Sequence, residues 1–185
     1  MQVDPGRWVH LAESREYQKA EDDLSGAAKA EMAVNGVTDR YADLLHALSA
    51  LYDRRSYDDV TGQRCELSYQ SAKFATHSMD ARRGLLKACQ DTPDKEGNAE
   101  LIAMHKDKLA IVLALLGHSL CDFALDGANA VLPAKEALIK ADGYLKEVLA
   151  LREEMNSREL AEAEKGMGYL YYCRGSVLLQ VLLCV

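Results

Sequence analysis

The sequence has few residues that interrupt helices and no pattern that builds a sheet. Its 185 residues include three prolines and two phenylalanines, whereas alanine and leucine are the commonest residues. No segment alternates Val, Ile or Thr with polar residues, and the turn-forming pair Asn35-Gly36 separates two helical patterns instead of two strands. These absences exclude a β-sheet protein. The composition predicts an all-α chain, long enough for one domain with a sizeable core.

An excess of positive charge and a long apolar run are also missing. The formal net charge is -7, which excludes non-specific nucleic-acid binding, because such binding requires a basic surface that releases counterions. The most apolar stretches, 109–116 and 177–185, are well short of the roughly 20 residues that a bilayer core requires. We therefore expect partners that are proteins, with no nucleic acid and no membrane insertion.

The cysteines and glycines carry no binding motif. The five cysteines lack a Cys-x-x-Cys spacing, and no signal peptide precedes them, so we expect reduced, mostly buried thiols and a cytoplasmic location. Gly166-Met167-Gly168 lacks the further glycine and the strand of a nucleotide fingerprint, and no Gly-Lys-Ser/Thr phosphate loop occurs. We expect no cofactor.

Apolar periodicity predicts a succession of helices. Thr38 is a suitable cap for an amphipathic helix over 38–55, Ser56 is predicted to break it, and Tyr57 opens the next helix, which ends at Gln90. The helix that follows, from Ala99, is apolar on every side in its middle and is therefore predicted to lie centrally. The remaining helices are predicted over 8–13, 17–32, 133–155 and from 156 onward.

One spacing occurs twice and describes how these helices pack. Ala20, Leu24 and Ala27 place a large apolar residue between two small ones on a single helix face, and Ala134/Leu138/Ala141 repeats the pattern. The alanines allow a neighbouring backbone to come close. The two stripes predict stacked antiparallel helix pairs, and not a pocket that performs chemistry.

Several segments resemble tetratricopeptide repeats (TPRs). Residues 15–27 (REYQKAEDDLSGA) resemble the turn and second helix of such a repeat, where an aromatic residue is followed by alanine, a large residue and alanine. Residues 48–59 look like a second copy, shifted by about 40 residues, and 116–141 like another. Met167-Gly168 with Tyr171 resembles the first helix of one more copy.

The resemblance implies an architecture and a task. We expect one helical-repeat domain over 1–185, in which antiparallel hairpins at 4–34, 37–90 and 98–155 and an unpaired helix at 157–185 stack as an irregular TPR-like array. Such a domain acts as a non-catalytic scaffold or adaptor that holds another protein, using the concave side made by the first helices of each pair.

Two constellations could carry chemistry. Asp43 and His46 stand three apart, as metal ligands do in helical bundles, but the second copy that a di-metal site needs is missing. Cys121 lies beside His118 and Asp122, yet the three point in different directions around a helix, and an apolar setting favours an inert thiol. We therefore expect no enzyme and no metal site; a helical-bundle enzyme or metal carrier is kept as one alternative.

The last helix carries the strongest candidates for partner binding. It combines residue types that are enriched at binding hot spots with an apolar end that has no polar closing segment. The candidate residues are Tyr169, Tyr171, Tyr172, Arg174, Leu178 and Leu182. The same feature fits a second alternative, a structural subunit of a large cytoskeletal or organellar assembly whose C-terminal helix is buried by its neighbours.

Overall fold

The computed structural model describes residues 5–92, 98–126, 131–155 and 159–183, and there it is all-helical with no strand. Seven helices follow one another within these residues: α1 Pro5–Glu13, α2 Tyr17–Asn35, α3 Asp39–Asp58, α4 Arg64–Gln90, α5 Ala99–Asp126, α6 Val131–Glu154 and α7 Leu160–Leu183. The prediction of an all-α protein is confirmed.

Polar contacts fix the direction of neighbouring helices. Ser78 Oγ donates to the carbonyl of Ala42 at 2.8 Å, and Ser49 Oγ donates to the carbonyl of Ser71 at 2.9 Å. Residue numbers therefore increase along α3 where they decrease along α4, so the two helices are antiparallel. The same holds for α5 and α6, where Gly117 lies against Leu145 and Asp107 pairs with Arg152.

Alternate helices run parallel and touch one another. Lys108 pairs with Asp39 near the start of α5 and α3, and Tyr57 bonds to Asp122 near their ends. Close backbone approaches join α1 to α3, α3 to α5, and α5 to α7. Within the described ranges the backbones of α2 and α4, or of α4 and α6, lie farther apart, although Arg83 of α4 pairs with Glu147 of α6 at 2.5 Å. The odd-numbered helices thus form one side of the protein, and α5, which contacts α3, α4, α6 and α7, is the central helix predicted from its apolar middle.

Alanine and leucine fill the core between these helices. One buried cluster joins α1, α2 and α3, a second joins α4, α5, α6 and α7, and a third joins α5, α6 and α7. Six alanines on five different helices are completely buried, which allows close helix packing: Ala20, Ala42, Ala75, Ala110, Ala124 and Ala141.

The two predicted stripes differ in outcome. Ala134, Leu138 and Ala141 are all buried, as predicted. On α2, Ala20 and Leu24 are buried, but the third buried member is Ala28, and Ala27 is only half-buried. The buried row of α2 therefore advances by four residues at each step, as in ridges built from residues four apart.

The predicted end of α3 was wrong. Ser56 does not break the helix, because its hydroxyl donates to the carbonyl of Asp53 at 2.7 Å within a helix that continues to Asp58. The break comes at Asp59, whose carboxylate accepts hydrogen bonds from the backbone of Thr61 at 3.0 Å and Gln63 at 2.7 Å. This side-chain turn competes with the helix. The cap at Thr38 is confirmed, since its hydroxyl accepts from the Tyr41 N–H at 3.0 Å.

The central helix has an apolar stretch longer than the eight residues noted in the sequence. Within the described residues, α5 is the one helix that is long and apolar enough to cross a membrane by length and composition. More than half of its most apolar window is buried among the neighbouring helices, as in a core helix. The predicted start of the last helix, at residue 156, lies outside the described residues.

Candidate functional site

Three parallel helices bring polar and aromatic side chains together on the odd-numbered side. Asp122 near the end of α5 accepts a hydrogen bond from Tyr57 at the end of α3 and another from Tyr169 in the first half of α7, where Gly166 also lies against His118 of α5. We name the group formed by Asp53, Tyr57, His118, Asp122 and Tyr169 the Asp122 site.

Asp122 is the centre of this site. The residue is 2% exposed, and its carboxylate accepts hydrogen bonds from the hydroxyl of Tyr57, at 3.1 Å, and from the hydroxyl of Tyr169. Burial, together with the neighbouring carboxylate, raises the pKa of both tyrosines above the ordinary value, so both phenols stay protonated and keep donating. No lysine or arginine pairs with Asp122 in the part of the chain that the structure describes.

Asp53 adds a second carboxylate one helix away. It is half-buried on α3, and burial, followed by the charge of Asp122, raises its pKa to about 6. No cation among the described residues forms an ion pair with it; the nearby Arg64 stacks over the ring of Tyr57 at 5.4 Å and pairs with Asp126 at 3.2 Å. The site therefore holds two carboxylates without a compensating positive charge.

His118 and Gly166 form the floor of an open groove beside these carboxylates. The edge of the His118 ring meets Tyr169 with the ring centres 5.8 Å apart, and burial lowers the pKa of the imidazole, which favours its neutral form. A Cβ on Gly166 would lie 3.2 Å from both His118 Nε2 and Leu145 Cδ2. Glycine at this position thus allows α7 to approach α5 closely.

Two adjoining grooves open at this point. One, of about 300 Å³, is lined by Tyr57, His118, Glu162, Lys165, Gly166 and Tyr169. The other, of about 280 Å³, shares His118, Glu162 and Gly166 with the first, and apolar residues such as Ile111 and Ala114 line it further along α5. Together they offer an apolar trough with a polar, aromatic end, which suits an elongated ligand.

The cysteine predicted to lie near His118 faces another way. Cys121 is completely buried and hydrogen-bonds to the thiol of Cys173 on α7. That hydrogen bond, together with burial, raises the pKa of Cys121, so its thiol stays protonated. His118 contacts Tyr169 instead of Cys121.

The second predicted constellation belongs to an ion network at the other end of α3. Asp43 and Asp39 both pair with the buried Arg82. Both also pair with Lys108, whose Nζ lies 3.0 Å from the Asp43 carboxylate and 2.6 Å from that of Asp39. His46 Nδ1 is buried and has no hydrogen-bond partner among the residues that the structure describes, and burial lowers the pKa of that imidazole. Across the described ranges, no three His, Cys, Asp or Glu side chains are grouped as metal ligands.

The six predicted partner-binding residues of α7 are divided between its two sides. Tyr169 lies in the Asp122 site, and Arg174 reaches Asp142 on α6 at 3.6 Å. Tyr171 and Leu178 point outward, 59% and 62% exposed, and Tyr172, which stacks on Tyr169, is 65% exposed. The side chain of Leu182 lies outside the described residues. Val177, predicted as part of an exposed apolar end, is instead buried.

The sequence interpretation missed the α3 half of the site. Asp53 and Tyr57 are four residues apart, and with Asp39, Asp43 and His46 they occupy one face of α3, at offsets that a helix aligns. That polar row was the available signal. A helix break at Ser56 would separate Tyr57 from Asp53, so the predicted helices did not place the two on one face.

No protein-family model, curated protein or solved structure matches this chain. What the Asp122 site can do is therefore inferred from its own geometry.

Proposed function

We propose that this chain is a non-catalytic protein-binding scaffold whose TPR-like hairpins present the side formed by α3, α5 and α7 to a segment of another protein. The parallel, mutually touching odd-numbered helices support this proposal, because stacked hairpins place the first helix of each pair side by side. A rigid surface of this kind lowers the ordering cost of capturing an extended or helical segment.

The observation that carries the proposal is the Asp122 site. Tyr57 is 57% exposed at the mouth of the groove, and Tyr169 and His118 line its wall. Aromatic residues that combine a large apolar body with a polar tip supply much of the energy at protein interfaces. The adjoining apolar trough along α5 gives a bound segment a second point of attachment.

Charge selects the kind of segment. Asp53 and Asp122 repel one another, and no described cation relieves that repulsion. A lysine or arginine from a partner would neutralise the pair while its stem lies against the tyrosine rings. The preferred ligand is therefore a segment that carries a basic side chain next to apolar ones.

Panning a displayed library of random peptides against the intact chain tests this function. We expect the enriched peptides to carry a basic residue, and their affinity to fall at least tenfold with Tyr57→Ala or Asp53→Asn and to weaken as salt rises. Tyr69→Ala is the matched control, since Tyr69 is 51% exposed on α4, away from the odd-numbered side. Enrichment of acidic or uncharged peptides, or equal loss with the control, would contradict the proposal.

A second candidate is a structural subunit of a larger assembly. The exposed Leu178 and Leu179, 62% and 61% exposed, favour it because they leave part of α7 uncovered. In that case the isolated chain would form stoichiometric complexes through α7 and select no peptide through the Asp122 site.

A further inference from the structure

The outer side of α7 has an unusual alternation of small and large residues. Gly168, Tyr171, Gly175 and Leu178 follow one another at intervals of three and four, so they share one helix face, and all four are exposed. We name these four residues the α7 outer face. The opposite side of the helix, with Leu170 and others, is buried against α5 and α6.

No contact among the described residues explains the two glycines. A Cβ added at Gly168 or at Gly175 would meet no atom within 4 Å. A glycine inside a helix is less favourable than an alanine, and here it leaves a notch beside a large apolar side chain. Notches of this kind permit the close approach of another helix.

The face also lacks charge. Between Gly166 and Leu183 the only charged residue is Arg174, and its guanidinium lies 3.6 Å from Asp142 on α6. A strongly charged partner therefore finds no complement on this face, whereas an uncharged surface of the same kind does.

We propose that the α7 outer face binds the same face of a second copy of this chain, with the two α7 helices antiparallel around a two-fold axis level with position 173. In this register Gly168 lies opposite Leu178 of the second copy, and Tyr171 lies opposite Gly175. Each pair occurs twice by symmetry, as an isologous interface requires. Every large side chain of the face then enters a notch.

The register follows from the spacing alone. Gly168 lies five residues before position 173 and Leu178 five residues after it, so each is about 7.5 Å from that position along the helix axis. Tyr171 and Gly175 lie two residues before and after it, about 3 Å away. A contact formed by four residues from each copy is small beside the roughly 1,200–2,000 Å² that stable specific interfaces bury, so the dimer should be weak and concentration-dependent.

Sedimentation equilibrium of the intact chain, up to about 0.5 mM, measures this association. We expect a monomer–dimer equilibrium that Gly175→Tyr weakens at least tenfold, since two tyrosines then collide in each pair. The monomer should tolerate that change because the position is open. Adding Tyr171→Gly exchanges the two partners of the same pair and should restore dimerisation. Gly84→Tyr, at an equally open glycine of α4, is the control and should leave the equilibrium unchanged.

The restoration separates a second copy from any other occupant. A chain that stays monomeric at the highest concentration, or a double variant that dimerises no better than Gly175→Tyr, would overturn the proposal. Circular dichroism of each variant identifies any loss of folding, and chemical cross-linking of the wild-type chain tests the contact without substitution. Peptide binding at the Asp122 site is measured separately, so the two proposals fail independently.

Discussion

Gly117 has no side chain because Leu145 of α6 occupies the space where one would stand. A Cβ at this position would lie 2.7 Å from Leu145 Cγ and 2.8 Å from its Cδ2. A branched carbon at the root of a buried side chain cannot move away without shifting α6 against α5, and cores resist such overpacking.

We therefore expect Gly117→Ala to lower the free energy of unfolding by about 1–3 kcal/mol, measured by urea titration. Gly84→Ala is the matched control, since its Cβ meets nothing within 4 Å. It should be neutral or stabilising by up to about 1 kcal/mol, because alanine favours the helix. Equal effects of the two substitutions would show that α5 and α6 are not packed closely at Gly117.

Asp53 makes stability depend on pH in a recognisable direction. Its pKa of about 6 in the folded protein lies above the unfolded value of about 3.9, so the folded state binds more protons between these values. The contribution of Asp53 to the free energy of unfolding therefore falls as pH rises from about 4 through 6. Burial lowers the pKa of His46, His105 and His118. The contribution of these histidines to the free energy of unfolding therefore increases as pH rises.

The comparison of Asp53→Asn with the wild type isolates this contribution, because the histidines are common to both. We expect the variant to be the more stable protein at pH 7.5, with the difference shrinking toward pH 4.5, measured by urea unfolding across that range. Asp80→Asn, an exposed carboxylate on α4, should give no such trend. A variant less stable than the wild type at pH 7.5 would mean that Asp53 has a cationic partner.

At the scale of helices, an ion network joins α3, α4 and α5. Arg82 of α4 has a side chain 1% exposed and pairs with Asp39 and Asp43 of α3, whose side chains are 40% and 50% exposed. Lys108 of α5 pairs with the same carboxylates. Burial alone would raise the pKa of Asp39, but hydrogen bonds from Lys108 and Arg82 lower it below the ordinary value.

The asymmetry of burial predicts an asymmetry of substitution. The double variant Asp39→Asn/Asp43→Asn leaves a buried guanidinium without a negative partner and should cost about 3–5 kcal/mol of unfolding free energy. Arg82→Met leaves two half-exposed carboxylates that still pair with Lys108, so it should cost less than half as much. Urea unfolding of both variants measures the difference. A larger loss from Arg82→Met would indicate that packing of the arginine stem outweighs its charge.

The sequence predicted helices better than it predicted the site. The centrality of α5 followed from its apolar middle, and the start of α3 followed from Thr38, because both signals are local. The end of α3 depends on the Asp59 side-chain turn, which competes with a helix-breaking interpretation of Ser56. The Asp122 site joins residues far apart in the chain, and only the packing of α3, α5 and α7 brings them together.

At the scale of the whole molecule, the two sides of the helical array differ. The backbones of the odd-numbered helices approach one another closely and these helices carry the Asp122 site with its grooves, whereas the backbones of neighbouring even-numbered helices lie farther apart within the described residues. We propose that the odd-numbered side is the one that holds a segment of another protein.

Hydrogen–deuterium exchange of the intact chain, with and without a basic peptide selected by panning, shows which helices the bound segment covers. We expect slower exchange at the end of α3, along α5 and in the first half of α7, and unchanged exchange in α2 and α4. The same peptide should give no protection in the Tyr57→Ala variant. Protection confined to α2 and α4, or protection that persists in that variant, would contradict the account.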